Sequence, residues 1–284
     1  MKELEFVKAQ GIGNDFIILD CLRDNPGDAN LADLAVRLCD RNFGIGGDGL
    51  ILVLPSERAD YRMRVINSDG SEAEMCGNGI RCFARYLFDR GLAGESVAVE
   101  TLAGVKTVAV TARDGRGVQF TVDMGVPGLE AEEIPVSGCE GKVISRPLEV
   151  DGARFSITCV SMGNPHCVIF ANSSDAPVER STLERLGPKI ENHQAFPNKT
   201  NVEFARAVND RELQVSVWER GAGITLACGT GACASVVAGV LNGRMDRKAT
   251  VHLPGGDLLI DWREDGSVYM TGPAEEVFTG RIGV

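Results

Sequence analysis

Strand-like alternation of apolar and polar positions, broken by a few helical stretches, runs through the chain and predicts two matching series of elements. Residues 4–9 and 16–19 have strand character and flank the turn Gly11-Ile12-Gly13-Asn14-Asp15. No helical pattern follows those glycines, so they are not a dinucleotide fingerprint. After the capping residue Asn30, Leu31, Leu34, Ala35 and Leu38 share one helical face, and the pattern stops near Asn42-Phe43-Gly44. Residues 50–54 and the alternation Tyr61, Met63, Val65 predict two strands, the second delivering Asn67 to its end. Ile80, Phe83, Ala84 and Leu87 then recur at i, i+3, i+4 and i+7, with Gly91 as a stop signal. Strand-like runs at 97–101, 106–111 and 118–124 lead to Gly125-Val126-Pro127-Gly128, a candidate domain boundary.

The second half repeats this order. Runs at 155–160 and 167–170 flank Ser161-Met162-Gly163-Asn164-Pro165-His166. Ser181 and Glu184 have capping-box spacing for a helix through Leu183 and Leu186, which Pro188 is expected to disturb. Strands are predicted at 201–207 and 213–218, and then at 249–253, 258–262 and 268–270. Between the two groups, residues 232–241 are apolar nearly all round, as befits a helix inside a domain. Cys76 and Cys228 lie 152 positions apart, as do Asn67 and Glu219, while Gly13-Asn14 and Gly163-Asn164 are offset by 150. Such matches imply a duplication. The expected fold is α+β, with two pseudo-symmetric domains, each a curved and mostly antiparallel sheet around a central helix. Residues 1–126 would form the first domain, with 273–284 returning to it, and 127–272 the second.

Composition narrows the function. A length of 284 residues suffices for two ordinary domains, and a net charge of −11 argues against a nucleic-acid binder, which carries a basic footprint. No apolar run approaches the ~18 residues of a membrane helix, and the start has no signal-peptide core. Nine cysteines without secretory features point away from a disulfide framework and toward a reducing cytoplasm.

Most of those cysteines suit core packing: Cys21, Cys39, Cys139, Cys159 and Cys167, together with Cys82 and Cys233 inside helical patterns. Cys76 and Cys228 differ. Each is followed by Gly-x-Gly (Gly77-Asn78-Gly79 and Gly229-Thr230-Gly231) and a helix. A thiol there meets unpaired N–H groups and the positive end of the helix dipole, which favour its thiolate, and the same N–H groups can hold a carboxylate. Zinc would want closer Cys or His spacing, a hydrolase a G-x-S-x-G elbow, and a pyridoxal enzyme a lysine beside a phosphate cradle; none is present, and no metal is expected. If the halves close face to face, two thiols on opposite walls of one cavity would suit inversion of a stereocentre, one removing a proton and the other delivering one. Backbone N–H groups at Gly77, Asn78, Gly229 and Thr230 would hold the α-carboxylate, Glu219 would balance an ammonium, and Arg220 would clamp a distal carboxylate. The plain alternative for Glu219 and Arg220 is an exposed ion pair.

The motifs Met75-Cys76-Gly77-Asn78-Gly79-Ile80-Arg81-Cys82 and Ala227-Cys228-Gly229-Thr230-Gly231-Ala232-Cys233-Ala234 resemble those of the diaminopimelate epimerase family. So do Gly11-x-Gly13-Asn14-Asp15-Phe16, Gly163-Asn164-Pro165-His166, Thr200-Asn201-Val202-Glu203 and Trp218-Glu219-Arg220-Gly221, and the likeness spans nearly the whole chain. The resemblance implies two similar α/β domains and an enzyme without pyridoxal phosphate or metal that interconverts LL- and meso-diaminopimelate for lysine and, in most bacteria, peptidoglycan. It matches Cys76 and Cys228 to the acid/base pair. Asn14, Asn67, Gly77, Asn78, Asn164, Asn201, Glu219, Arg220, Gly229 and Thr230 match substrate contacts, and His166 and Glu219 match positions that adjust the thiols. Some members carry Gln where this chain has Gly49, so any contact from that side chain is absent. The expected partner is a small-molecule substrate, with neither nucleic acid nor membrane; a homodimer is the one assembly kept open. Proline racemases would have less use for Arg220, phenazine-biosynthesis isomerases lack the cysteine pair, and a two-domain amino-acid binding protein would need neither thiol.

Overall fold

The computed structural model describes residues 3–23, 30–114, 117–171 and 178–283. Residues 1, 2 and 284, at the ends of the expected first domain, therefore lie outside the described residues, as do 24–29, 115 and 116 within it. The chain forms two compact units, Met1–Asp123 with Thr271–Val284, and Met124–Met270.

In the first unit β1 (Glu3–Gly11) and β2 (Asn14–Asp20) form a hairpin, followed by α1 (Leu31–Cys39), β3 (Gly49–Leu54), β4 (Tyr61–Asn67), the short β5 (Glu72–Ala73), α2 (Gly77–Asp89), β6 (Ser96–Thr101), β7 (Gly104–Asp114) and β8 (Gly117–Gly125). Pairing is antiparallel except for β2 with β3 and β4 with β6. Gly13 makes the hairpin turn possible because its φ of 86° suits a residue without Cβ. Leu34 and Leu38 of α1 pack on Leu19, Leu50 and Leu52. Asn30 caps that helix by accepting the Ala32 N–H at 3.1 Å. The helix ends at Cys39, before the expected stop at Asn42, because the Asp40 carboxylate takes the N–H groups of Asn42 and Phe43, both at 2.7 Å, and turns the chain.

The second unit repeats the plan: β9 (Arg146–Val150), β10 (Ala153–Ser161), β11 (Pro165–Phe170), α3 (Arg180–Glu191), β12 (Asn201–Asn209), β13 (Glu212–Glu219), β14 (Gly223–Ile224), α4 (Gly229–Leu241), β15 (Lys248–Leu253), β16 (Gly256–Trp262) and β17 (Val268–Pro273). Its parallel pairs, β11 with β12 and β13 with β15, occupy the same places in the order as those of the first unit. The last strand, β18 (Glu275–Gly283), pairs antiparallel with β1.

One expectation fails in α3. Ser181 lies inside the helix, whose N-cap is Glu179 without a side-chain cap bond, so the capping box is not formed. Pro188 lies within the helix and disturbs it without ending it. It removes only the hydrogen bond to the fourth carbonyl before it, and one turn later Asn192 bonds the Pro188 carbonyl through its N–H (3.2 Å) and side chain (2.8 Å).

Both α2 and α4 are wrapped by strands. Buried Ile80, Phe83 and Leu87 line α2, which touches β1, β2, β3, β4, β7 and β18. Ala232, Cys233, Ala234, Val236, Val237 and Ala238 of α4 are all fully buried, and that helix touches β10, β11, β12, β13, β15 and β16. Each buried valine there contributes about 1.5 kcal/mol or more of apolar transfer energy. The central helices are thereby fixed in their sheets, and so are the residues that begin them.

Candidate active site

Cys76 and Cys228 are the N-caps of α2 and α4, in extended backbone conformations (φ −130°, ψ 116° and φ −123°, ψ 108°). Each sulfur takes the place of a capping oxygen, accepting the N–H of the third helical residue: Gly79 at 3.3 Å and Gly231 at 3.4 Å. The N–H groups of Gly77, Asn78, Gly229 and Thr230 precede the first intrahelical bonds, made by Ile80 and Ala232 to the cysteine carbonyls. That arrangement can receive a carboxylate.

Around Cys76, Asn14 Oδ1 lies 3.7 Å from the sulfur and accepts Asn78 Nδ2 at 3.2 Å. Its Nδ2 donates to Asp48 at 2.7 Å, and Asp48 is held in turn by the Asp15 N–H (3.0 Å) and Arg41 (2.8 Å). Asp15, paired with Lys8 and Arg41, titrates below its ordinary value: burial works to raise it, but the hydrogen bonds to those two cations outweigh burial. Fully buried Arg81 braces the turn, donating to the Gly77 carbonyl (3.1 Å) and to Asn78 Oδ1 (3.0 Å). Asn67, at the end of β4, donates instead to Ser71 at 2.9 Å. A Cβ on Gly49 would lie 3.0 Å from the Ile66 carbonyl oxygen, so this position is crowded against backbone.

Around Cys228 the polar groups are deeper. Thr230 Oγ1 lies 3.5 Å from the sulfur and accepts Asn164 Nδ2 at 3.3 Å. Asn164 Oδ1 faces His166 Nε2 at 3.0 Å, and His166 Nδ1 faces Glu203 Oε1 at 2.7 Å. His166 and Glu203 are both fully buried. Asn201 accepts the Arg220 N–H at 2.9 Å and donates to the Pro165 carbonyl at 2.8 Å. Glu219 and Arg220 do not turn to each other: Thr225 donates to Glu219 at 2.5 Å, and the exposed Arg220 guanidinium donates to the Asn198 carbonyl at 3.1 Å.

Burial raises the Cys228 thiol well above its ordinary value, helped by the charges of Glu219 and Glu203 and opposed by hydrogen bonds from Thr230 and the Gly231 N–H. The expected thiolate-favouring effect of the helix start is present there but outweighed. Burial likewise raises Glu219. Burial pushes Cys39 up to about 11 and Cys82 up to about 12, as suits thiols that only pack. None of the nine cysteines forms a disulfide, and Cys139 is only half-buried where the sequence suggested core.

The folded chain thus gathers Asn14, Asn78 and Gly77 at Cys76, and Asn164, His166, Thr230, Gly229 and Glu219 at Cys228, with Asn201 bonded to the backbone of Arg220. Three contributors were given no role in the sequence reading, although Arg81 and Glu203 lie within its matched motifs: Asp48, Arg81 and Glu203. The clearest available signal was Glu203, a carboxylate in the middle of an otherwise apolar strand segment, Val202-Glu203-Phe204-Ala205. Among the described residues no three His, Cys, Asp or Glu side chains gather as a metal site, and no helix is long and apolar enough to cross a membrane.

The family model described as Diaminopimelate epimerase matches residues 6–129 and 158–277. The chain is 55% identical over 278 residues to the diaminopimelate epimerase of Pelotomaculum thermopropionicum, covering 98% of both chains. It is 56% identical over 279 residues to that of Desulfitobacterium hafniense, covering 98% of this chain and 97% of the relative. Among solved structures, a PhzF-family phenazine biosynthesis protein of Bacillus anthracis superposes with a TM-score of 0.69 at 17% identity, with all of both chains covered. A hydroxyproline epimerase of Agrobacterium vitis does so with 0.66 at 16% identity, covering 99% of this chain and 92% of its own. At such identities the two structures speak for the fold alone.

Proposed function

The chain belongs to the diaminopimelate epimerase family, whose cysteine-based isomerases interconvert LL- and meso-diaminopimelate on the route to lysine, and from that premise we propose that Cys76 and Cys228 are its thiolate/thiol pair. One observation carries the assignment. At the same place in two copies of one motif, a sulfur caps the helix that it begins, 3.3 Å from the Gly79 nitrogen and 3.4 Å from that of Gly231.

Inverting one α-carbon requires a base on one face and an acid on the other. The thiolate takes the α-hydrogen as a proton, and the C–H electron pair moves into the α-carboxylate. The thiol on the opposite face then returns a proton to carbon, leaving the pair with its protonation exchanged. Helix-start N–H groups at Gly77, Asn78, Gly229 and Thr230 hold the carboxylate and its developing charge. In this reading Glu219 balances the reacting ammonium, Arg220 takes the distal carboxylate, and Asn14, Asn67, Asn164 and Asn201 orient the substrate. His166 and Glu219 adjust the thiols. The proposed domains are residues 1–126 with 273–284, and 127–272.

Incubating the enzyme with LL-diaminopimelate in deuterated water tests the reaction. The expected early product is meso isomer carrying one α-deuterium while recovered LL substrate stays unlabelled. Label entering recovered substrate as fast as product would mean that a single group does both transfers, against the pair.

We also propose a cytoplasmic location, supported by nine cysteines outside disulfides, and a homodimer. Half-exposed Val277 and Phe278 on β18 offer apolar surface for a second copy to cover. Sedimentation velocity should show twice the chain mass, and a monomer at tens of micromolar would reject the dimer.

A further inference from the structure

The two thiols lie in equivalent helix caps but are not equivalently surrounded. The offsets that relate the copies, 150 at Asn14 and Asn164 and 152 at the cysteines, place Phe16 opposite His166, Ile51 opposite Glu203, and Asn67 opposite Glu219. In the first copy all three positions are uncharged, and in the second all three are ionisable. The substitution reaches into the packing. A Cβ on Gly79 would meet Ile51 Cδ1 at 3.3 Å, whereas a Cβ on Gly231 would meet Glu203 Oε1 at 2.7 Å, so the carboxylate occupies the space that a methyl end fills in the other copy.

A buried carboxylate in an apolar strand is costly unless it is paired. Glu203 is fully buried, one oxygen 2.7 Å from His166 Nδ1, and its other oxygen has no hydrogen-bond partner. A carboxylate can only accept, which puts the hydrogen on Nδ1 and fixes the ring. The fixed ring presents Nε2 to the Asn164 side-chain amide at 3.0 Å, and the other end of that amide meets Thr230 Oγ1 at 3.3 Å, against the sulfur.

We infer that Glu203 is a positioning residue of the reaction: it anchors the His166–Asn164–Thr230 chain at Cys228, and its buried carboxylate, seated against the first turn of α4, opposes a thiolate there. The inference rests on the assignment of Cys228 to the acid/base pair. The groups that face Cys228 agree with it. Glu203 from β12 and Glu219 from β13 oppose a thiolate, and the thiolate-favouring contacts are the Thr230 hydroxyl and the Gly231 N–H of α4, with His166 of β11 held in its pair with Glu203.

Two variants separate anchor from charge. Glu203→Gln keeps an acceptor for Nδ1 and removes the charge; Glu203→Ile installs the residue of the other copy and removes both. Alkylation by iodoacetamide, followed across pH by peptide mapping, reads each thiol without needing turnover. In both variants the Cys228 midpoint should fall by about one pH unit while that of Cys76 stays in place. Turnover should drop about tenfold in Glu203→Gln and about 10²-fold in Glu203→Ile, with KM within about threefold. An unmoved Cys228 midpoint, or turnover within about twofold of wild type in Glu203→Ile, overturns the inference. Should either variant fold poorly, ¹⁵N-histidine spectra of the wild-type enzyme decide: a proton on His166 Nδ1 supports it and a bare Nδ1 overturns it. Normal turnover in Cys228→Ala would instead remove the acid/base assignment, a result distinct from either of these.

Discussion

Cys76→Ala is expected to lose inversion of diaminopimelate by at least about 10⁴-fold, the upper range for removal of a positioned acid or base. The remaining substrate contacts stay, so affinity should fall far less than turnover. The loss has a diagnostic form. In Cys76→Ala the surviving Cys228 can still exchange the α-hydrogen of whichever stereoisomer presents it, but no partner delivers a proton to the far face. Deuterium should therefore enter one isomer, LL or meso, without inversion, and Cys228→Ala should show exchange of the other. That pair of results would assign each sulfur to its stereoisomer. Turnover near wild type in Cys76→Ala, measured by formation of meso product, would take that thiol out of the mechanism. A protein that merely bound amino acids would show no exchange in either variant or in the wild type.

Much of this site was legible in the sequence because its signals are local. A cysteine, a Gly-x-Gly turn and a 3.6-residue apolar period fall within a dozen positions, and the second copy repeats them at a fixed offset. The all-apolar residues 232–241 announced a buried helix for the same reason. What escaped depends on distant partners. The strand β9 alternates exposed Pro147 and Glu149 with buried Leu148 and Val150, but it spans only five residues and includes a proline, and its pairing with β10 makes it a strand. Glu203 looked like one charge in a strand because its partner His166 is 37 residues away, brought beside it by the parallel register of His166 with Asn201. Asn67 and Glu219 occupy equivalent sequence positions, yet one bonds a neighbouring serine and the other is packed near a thiol. At Cys228 the thiolate-favouring effect of the helix start is outweighed on magnitudes. A helix terminus is worth about 0.3–1 kcal/mol, whereas full burial shifts a thiol by several pH units, each about 1.4 kcal/mol. Sequence shows the helix start plainly and the burial hardly at all.

Gly231→Ala should be the most damaging single methyl addition near either thiol, and Gly79→Ala is its internal control. Both positions are the third residue of their helices, both N–H groups donate to a cysteine sulfur, and alanine keeps that N–H. Both substitutions also gain up to about 1 kcal/mol of helix propensity. They differ in what the methyl meets. At Gly79 the nearest atoms are Cys76 Cβ at 3.2 Å and Ile51 Cδ1 at 3.3 Å, and the isoleucine's terminal methyl can rotate aside. At Gly231 they are Glu203 Oε1 at 2.7 Å and Cys228 Sγ at 3.2 Å, and that carboxylate cannot retreat without leaving His166. Overpacking of this kind costs about 1–3 kcal/mol, so Gly231→Ala should be less stable than wild type by urea denaturation while Gly79→Ala is neutral or gains. Displacing either Glu203 or the sulfur by a fraction of an ångström misplaces an acid/base group, and turnover in Gly231→Ala should fall by about 10²-fold. Gly79→Ala should keep at least about a tenth of the wild-type rate. Equal losses in the two variants would show that the first turn of each helix is needed for its shape alone, and that the carboxylate beneath Cys228 confers no special constraint on it.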